Sequence, residues 1–518
     1  MRSLPPNRGA QRPAHRISSS PNRLRLSELV WLALLAGSLL LLIGAVSGLL
    51  TGKIFHQYST IKWATLAAAP LLVAFLLTVR RPSLWAAGLV IITLPIEPYV
   101  ATIHAQPLSV VVLTLAVATF VVTIEGGVRR QSNAATPALV RVVPWILVAL
   151  VVPTVFGTSW QHVVLYVALF VDVAWICARV SSLYPDGRLV VVLLFLAMAA
   201  TQSIVAIAQY VTGNAFNLYG GAGTSSYSAQ TYFFKFGTSV RTTGTFVDPI
   251  SLGNVLAMAV PLALLVLLRS EVRPAYRWFA ALAGAAILGG LMVSLSRASW
   301  MGAAAAVICV IAFSQGDQRR KAVTLAVACT IGVVVVASSL YGPAVGTRFS
   351  SIFNPTSSTV RTSAGDKVRG VEWATAIQAF EANPAFGLGF GNFAGYLEAE
   401  VPGTDSSSHA QNTVLQYLAE GGVFGGAALV LLGGGVIADL RRSRRTDWLY
   451  PGLVGAFTSV LVTWMTDYTV RYLSVAGCLA ILVGLTATGW RGTAHAAGDI
   501  STDRSEAAPS VPAELGVR

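Results

Sequence analysis

Charged residues are scarce in this chain. Asp, Glu, Lys and Arg make up 11% of 518 residues, where a soluble domain carries about a quarter. Together with 54% hydrophobic residues and a mean hydropathy of +0.66, this excludes a soluble fold and leaves a polytopic membrane protein. Cysteine is scarcer still. Cys177, Cys309, Cys329 and Cys478 all lie inside apolar runs, which excludes an external disulfide framework and a thiolate metal site, so they read as small packing residues. No external group of His, Cys, Asp or Glu has ligand spacing, and no Asp-x-Asp pair occurs among the external acids. Neither metal nor cofactor is indicated.

What is present in excess is basic charge, +14 formally. The basic residues fall in short clusters between apolar runs, so they read as topology signals and head-group contacts, not as a nucleic-acid surface. The tail 1–27 is rich in Arg, Pro, Ser and Asn and is expected to be disordered, as is the polar tail 491–518. The first apolar run, 29–50, is too long for a signal-peptide core and lacks a clear cleavage site, so it reads as an uncleaved span.

At ~20 apolar residues per crossing, the pattern predicts fourteen spans: 29–50, 63–79, 83–100, 107–124, 138–156, 160–178, 188–211, 249–268, 278–296, 298–314, 322–340, 412–438, 450–467 and 472–490. The expected fold is an all-α membrane helix bundle of 12–14 spans over 28–490, with a large loop at 341–411. With the basic tail inside, the internal connections carry Arg80 and Arg81, Arg129, Arg130 and Arg141, Arg179 and Arg188, Arg269 to Arg277, Arg319 to Lys321, and Arg441 to Arg445. That agrees with the positive-inside rule. Both termini then face the cytoplasm. Four elements share the extracytoplasmic side: the loop 212–248, the SLSRAS hairpin, the loop 341–411 and DYTVR (Asp467 to Arg471).

Arg241, Arg297, Arg369 and His409 are thereby expected at one external membrane boundary. Arg297 lies between two apolar runs, and an arginine at the membrane centre costs about 2.5–3.5 kcal/mol on insertion scales. It reads either as a snorkelling side chain or as an anion contact in a cavity. Arg241 and Arg369 offer the same choice, with loop salt bridges to Asp248 and Glu372 as the plainer alternative. Three arginines together suit pyrophosphate or phosphate, because guanidinium presents fixed bidentate donors. His409 is the one histidine of the long loop, either a surface residue or a general base.

The glycine-rich GLGFGNF follows no strand and does not read as a nucleotide loop. A helix from about Asp366 to Ala382, stopped by Asn383-Pro384 and followed by a compact turn, fits better; Arg369 and Trp373, four apart, share a face of it. Asp172 and Glu420 fall inside spans, where structural hydrogen bonding is favoured over a transport path.

The order of RTTGTFVDPISLGN, SLSRASWMG, RGVEWATAIQAFEANPAFGLGFGNF and SSSHAQNTVLQYLAEGGVFGG resembles the O-antigen ligase and polysaccharide polymerase superfamily of membrane glycosyltransferases, over roughly 241–426. The resemblance implies metal-independent, inverting transfer outside the cytoplasmic membrane. The donor would be an undecaprenyl-pyrophosphate-linked glycan, and the acceptor a hydroxyl on another glycan or lipid-linked sugar. By the same resemblance Arg241 and Arg297 hold the pyrophosphate, Arg369 of the R-x-x-x-W element orients donor or loop, and a histidine assists deprotonation; Trp373 is taken as a substrate contact. One departure stands out. The second histidine slot before Asn412 is Gln411, so His409 substitutes only if the segment is extended. Gln411 and Asn412 are taken as substrate contacts.

The expected function is a polymerase or O-antigen-type ligase at the cytoplasmic membrane, with a flippase and a chain-length regulator as possible partners. The rival is a transporter or flippase for lipid-linked oligosaccharide.

Overall fold

The computed structural model describes residues 79–487 apart from 96–98, 104–105, 129–137, 155–156, 158–159, 214–234, 237–238, 247, 341–359, 403–408 and 445–446. The expected spans 29–50 and 63–79 and both tails lie outside these residues. The chain is an all-α polytopic membrane protein. Among the described residues run fourteen α-helices and two very short β-hairpins.

In chain order the helices are α1 Pro82–Thr93, α2 Val110–Val128, α3 Ala138–Thr154, α4 Trp160–Leu183, α5 Gly187–Thr212, α6 Pro249–Leu268 and α7 Pro274–Val293. They continue as α8 Arg297–Phe313, α9 Gly316–Leu340, α10 Val360–Ala382, α11 Phe393–Glu400, α12 Thr413–Ser443, α13 Tyr450–Trp464 and α14 Leu473–Thr486. A helix stands at each of the twelve expected spans that the described residues include. Five helices are long and apolar enough to cross a membrane by length and composition.

The expected span 83–100 is corrected. Its helix stops at Thr93, and the chain turns into an antiparallel hairpin, β1 Tyr99–Ile103 with β2 Gln106–Ser109. Pro95 accounts for the stop: it has no amide proton with which to continue the helical ladder.

Local chemistry sets the other ends. Asp248 caps α6, its Oδ1 accepting from the amides of Ile250 (2.8 Å) and Ser251 (2.7 Å) just ahead of Pro249. Helix α6 is the central post, buried along almost its whole length and packed on α7, α8 and α13. One continuous apolar core runs through α1, α2, α4 to α8, α13 and α14.

Contacts between distant segments define the two ends of the bundle. At one end Arg188 forks onto Asp447 at 2.7 and 2.8 Å, Arg81 pairs with Asp186 at 2.9 Å, and Glu125 accepts from Ser83 and Tyr184. At the other end lie the 241–248 segment, the α7–α8 turn, the start of α12 and the α13–α14 connection, and there the candidate site forms.

Candidate functional site

Four chain segments build the site. The first is Arg241 to Asp248. Gln209 of α5 grips it: its Oε1 accepts from the amide of Gly244 at 2.9 Å, and its Nε2 donates to the Gly244 carbonyl at 2.9 Å. Gln202 accepts from the amide and hydroxyl of Thr245, both at 2.9 Å. Gly244 has φ +61°, and a Cβ there would sit 2.8 Å from Gln202 Oε1, so glycine is required on both counts. Thus held, Arg241 donates from Nε to the Ser294 carbonyl at 3.2 Å.

The second segment is the α7–α8 turn. Leu295 adopts φ +51°, Ser296 caps α8, and Arg297 is the first helical residue. Ser299 donates to Asn254 of α6 at 2.8 Å, and Asn254 donates to Thr469 at 2.6 Å. This buried chain ties the Arg297 turn to the α13–α14 connection.

That connection is the third segment. The Asp467 carboxylate accepts from the amide of Tyr468 at 2.7 Å, and the Asp467 carbonyl accepts from the Thr413 hydroxyl at 2.8 Å. Asn412 caps α12 through Oδ1, accepting from Leu415 at 3.1 Å, and donates from Nδ2 to the Met465 carbonyl at 3.0 Å.

The fourth segment is the long loop. Helix α10 ends at Ala382 as expected, although it begins at Val360 and not near Asp366. Its inward face carries Glu372, Thr375, Ala376 and Ala379, all buried, at the i, i+3, i+4, i+7 spacing of one helix face. These alanines pack with Phe393 and Leu397 of α11 and Ala419 of α12 in a small core of their own.

The glycine-rich stretch docks this unit onto a broken helix. Gly422, at φ 57° and ψ −146°, interrupts α12. The carbonyls released there accept from the loop: Ala419 from the amide of Leu388 at 2.9 Å, Glu420 from that of Gly389 at 2.8 Å. In return the Glu420 carboxylate accepts from the amides of Gly391 (3.0 Å) and Phe393 (3.2 Å). The Val423 amide, also at the break, donates to the Pro384 carbonyl at 2.8 Å, so these backbone groups find partners in the loop. Asp172 accepts from the Thr119 hydroxyl at 2.7 Å through Oδ2, while its Oδ1 is buried without a hydrogen-bond partner.

The charges gather between these segments. Burial pulls the Arg241 guanidinium down to about 10; Asp248 and Asp467 oppose this, and Arg369 and Arg297 add to it. Arg241 therefore stays protonated at neutral pH, amid two more arginines and two acids. Burial pushes Asp467 up to about 6, reinforced by Asp248 and opposed by Arg369, the Tyr468 amide and Arg471. Burial likewise pushes Glu372 up to about 7, opposed by Arg369 and reinforced by Asp467. So the three expected arginines form one electrostatic cluster although 128 residues separate the first from the last.

His409 joins through a residue that the sequence reading did not single out. Its Nδ1 lies 3.0 Å from Nη1 of Arg471. Guanidinium has donors only, so Nδ1 accepts and the ring proton resides on Nε2, a tautomer assigned from the partner. Residues 409–412 are not helical: α12 starts at Thr413, and Gln411 takes φ +50°. Nor are they a regular strand, so two-residue alternation does not carry His409 into the slot of Gln411. The Trp373 indole nitrogen and Glu372 Oε2 are buried without a hydrogen-bond partner. Among the described residues no group of three or more His, Cys, Asp or Glu is arranged to hold a metal.

Residues 282–430 match the family model described as O-antigen ligase. That match covers under a third of the chain, and over it the protein is similar to the O-antigen ligase and polysaccharide polymerase superfamily. No curated protein matches it. The matched O-antigen ligase region contains Arg297, Arg369, Glu372, Trp373, His409, Gln411 and Asn412, while Arg241, Asp467 and Arg471 fold against it from outside. A membrane enzyme of the O-antigen ligase or polymerase type is the coarse reading that match supports.

Proposed function

We propose that the protein is a metal-independent, inverting glycosyltransferase of the cytoplasmic membrane. It moves a glycan from undecaprenyl pyrophosphate to an acceptor hydroxyl on the outer side, as a polymerase or ligase, with both termini in the cytoplasm. The observation that carries this reading is that Arg241, Arg297 and Arg369, half-buried and drawn from three distant segments, lie within electrostatic reach of one another. Outside the cytoplasm no nucleotide is at hand, so the bond energy must come with the donor. A polyprenyl pyrophosphate is such a donor, and fixed guanidinium groups stabilise the charge that develops as it leaves.

In this reading Arg241, Arg297 and Arg369 hold the pyrophosphate. His409, with its proton on Nε2, donates to a substrate oxygen, while Arg471 fixes the ring. Trp373 offers its buried indole N–H on the face of α10 that bears Arg369. Asn412 is only 5% exposed and bonded through both ends of its amide, so it is a cap that places His409 and not a substrate ligand. Gln411 sets the turn between them.

The test is a size-resolved glycan profile of a deletion strain complemented with wild type or Arg297→Ala. Collapse to single repeats (polymerase) or accumulation of long lipid-linked chains (ligase), unrelieved by Arg297→Ala, is expected. An unchanged profile in the deletion strain counts against the reading and moves a lipid-linked oligosaccharide transporter ahead.

A further inference from the structure

Inverting transfer needs a group that takes the acceptor's proton, and His409 is poorly placed for it: its Nδ1 lone pair is engaged by Arg471 and its Nε2 already carries hydrogen. Glu372 offers a buried proton-accepting atom that the site leaves unengaged. Glu372 is 3% exposed, and its Oε2 has no hydrogen-bond partner. It lies one helical turn after Arg369 on the inward face of α10, within electrostatic reach of Asp467 on the α13–α14 connection. A buried carboxylate oxygen left unbonded is destabilising, with no structural return where it stands.

We propose that Glu372 is the general base that deprotonates the acceptor hydroxyl, an inference that rests on the glycosyltransferase reading. As the acceptor oxygen bonds to the anomeric carbon, its O–H bond breaks and the proton passes to Glu372 Oε2. The bond from the anomeric carbon to the donor phosphate oxygen breaks, and its electron pair leaves with undecaprenyl pyrophosphate among the arginines. Two charged groups bear on the protonation of Glu372: Arg369 on its own helix favours the anion, and Asp467 opposes it. With the carboxyl raised to about 7, ionised base accumulates as pH rises through that value, near the optimum for proton transfer at neutral pH.

The experiment measures kcat and donor KM against pH for detergent-purified protein, using an undecaprenyl-pyrophosphate-linked glycan and a free glycan acceptor. Wild type is expected to transfer, with kcat rising through pH 7. Glu372→Gln is expected to lower kcat by about 10²–10⁴-fold, to leave donor KM within about threefold, and to lose the rise with pH. Glu372→Asp should recover part of the rate and shift the midpoint.

A Glu372→Gln enzyme with near-wild-type kcat, or one whose residual rate keeps the same rise, overturns the proposal and leaves the glycosyltransferase reading standing. If Glu372→Gln does not fold, an unshifted profile in Glu372→Asp overturns it equally. Wild type that transfers no glycan removes both readings.

Discussion

His409 and Arg471 meet nitrogen to nitrogen, Nδ1 to Nη1 at 3.0 Å, across 62 residues of sequence. The contact fixes the ring's tautomer and its orientation, while Arg471 also donates to the Tyr472 hydroxyl at 2.5 Å. Two residues that act as one unit are not additive. Arg471→Ala and His409→Ala should each lower kcat/KM, and the double variant should be no worse than the poorer single. Full additivity of the two losses in a double-mutant cycle would show that they act apart.

Asp467, with Asp248, is one of the two acids in the arginine cluster. Its carboxyl, raised to about 6, is protonated below that pH and ionised above it. Acidification therefore removes a negative charge from beside Arg241, Arg369 and Arg471, and the cluster attracts pyrophosphate more strongly. Donor KM should fall by about three- to tenfold between pH 7.5 and 5, as a change of about 0.7–1.4 kcal/mol gives. Asp467→Asn should show the low KM already at pH 7.5 and no dependence on pH. A KM that is flat in wild type speaks against this role.

The docking of the long loop onto α12 depends on two glycines. A Cβ on Gly422 would lie 2.5 Å from the Ala385 carbonyl oxygen, and one on Gly387 would fall on the Glu420 carbonyl carbon. Gly422→Ala forces a side chain into a backbone region that costs about 1–3 kcal/mol, in addition to that clash. A lower Tm and faster proteolysis within 383–412 are expected; a variant as resistant as wild type contradicts the docking.

Buried Asn254 joins Ser299 to Thr469. Asn254→Leu leaves both hydroxyls without that partner, at about 1–3 kcal/mol each. Because the link runs from the Arg297 turn to the Asp467 connection, kcat should fall along with Tm. Loss of Tm with kcat intact at low temperature would show that the link only stabilises.

Much of this was legible in the sequence. Apolar runs bounded by signals such as Asp248-Pro249 gave the helices, and Asn383-Pro384 ended α10 where expected. Alternating sidedness alone brought Arg241, Arg297 and Arg369 to one end of the bundle. What was hidden depends on tertiary partners. The Arg471 contact to His409 has no local pattern. GLGFGNF reads as a compact turn, and nothing in its spacing shows that it fills a break at Gly422. Glu372 reads as a salt-bridge partner of Arg369 until its burial and unbonded oxygen are seen. That Asn412, beside His409, caps α12 and bonds the Met465 carbonyl is hidden too, because a capping amide and a ligand amide are indistinguishable in sequence.

The central claim is that the arginine cluster holds a pyrophosphate donor whose glycan is cleaved and transferred. The direct measurement is release of undecaprenyl pyrophosphate by purified protein in liposomes, with EDTA present, comparing wild type with Arg297→Ala and Arg297→Lys. Wild type should release it in step with glycan transfer. Arg297→Ala should lose about 10²–10³-fold in rate, and Lys should not restore it, because a bidentate contact is not replaced by a point charge. Movement of intact donor across the bilayer without cleavage would contradict the account and make the protein a transporter.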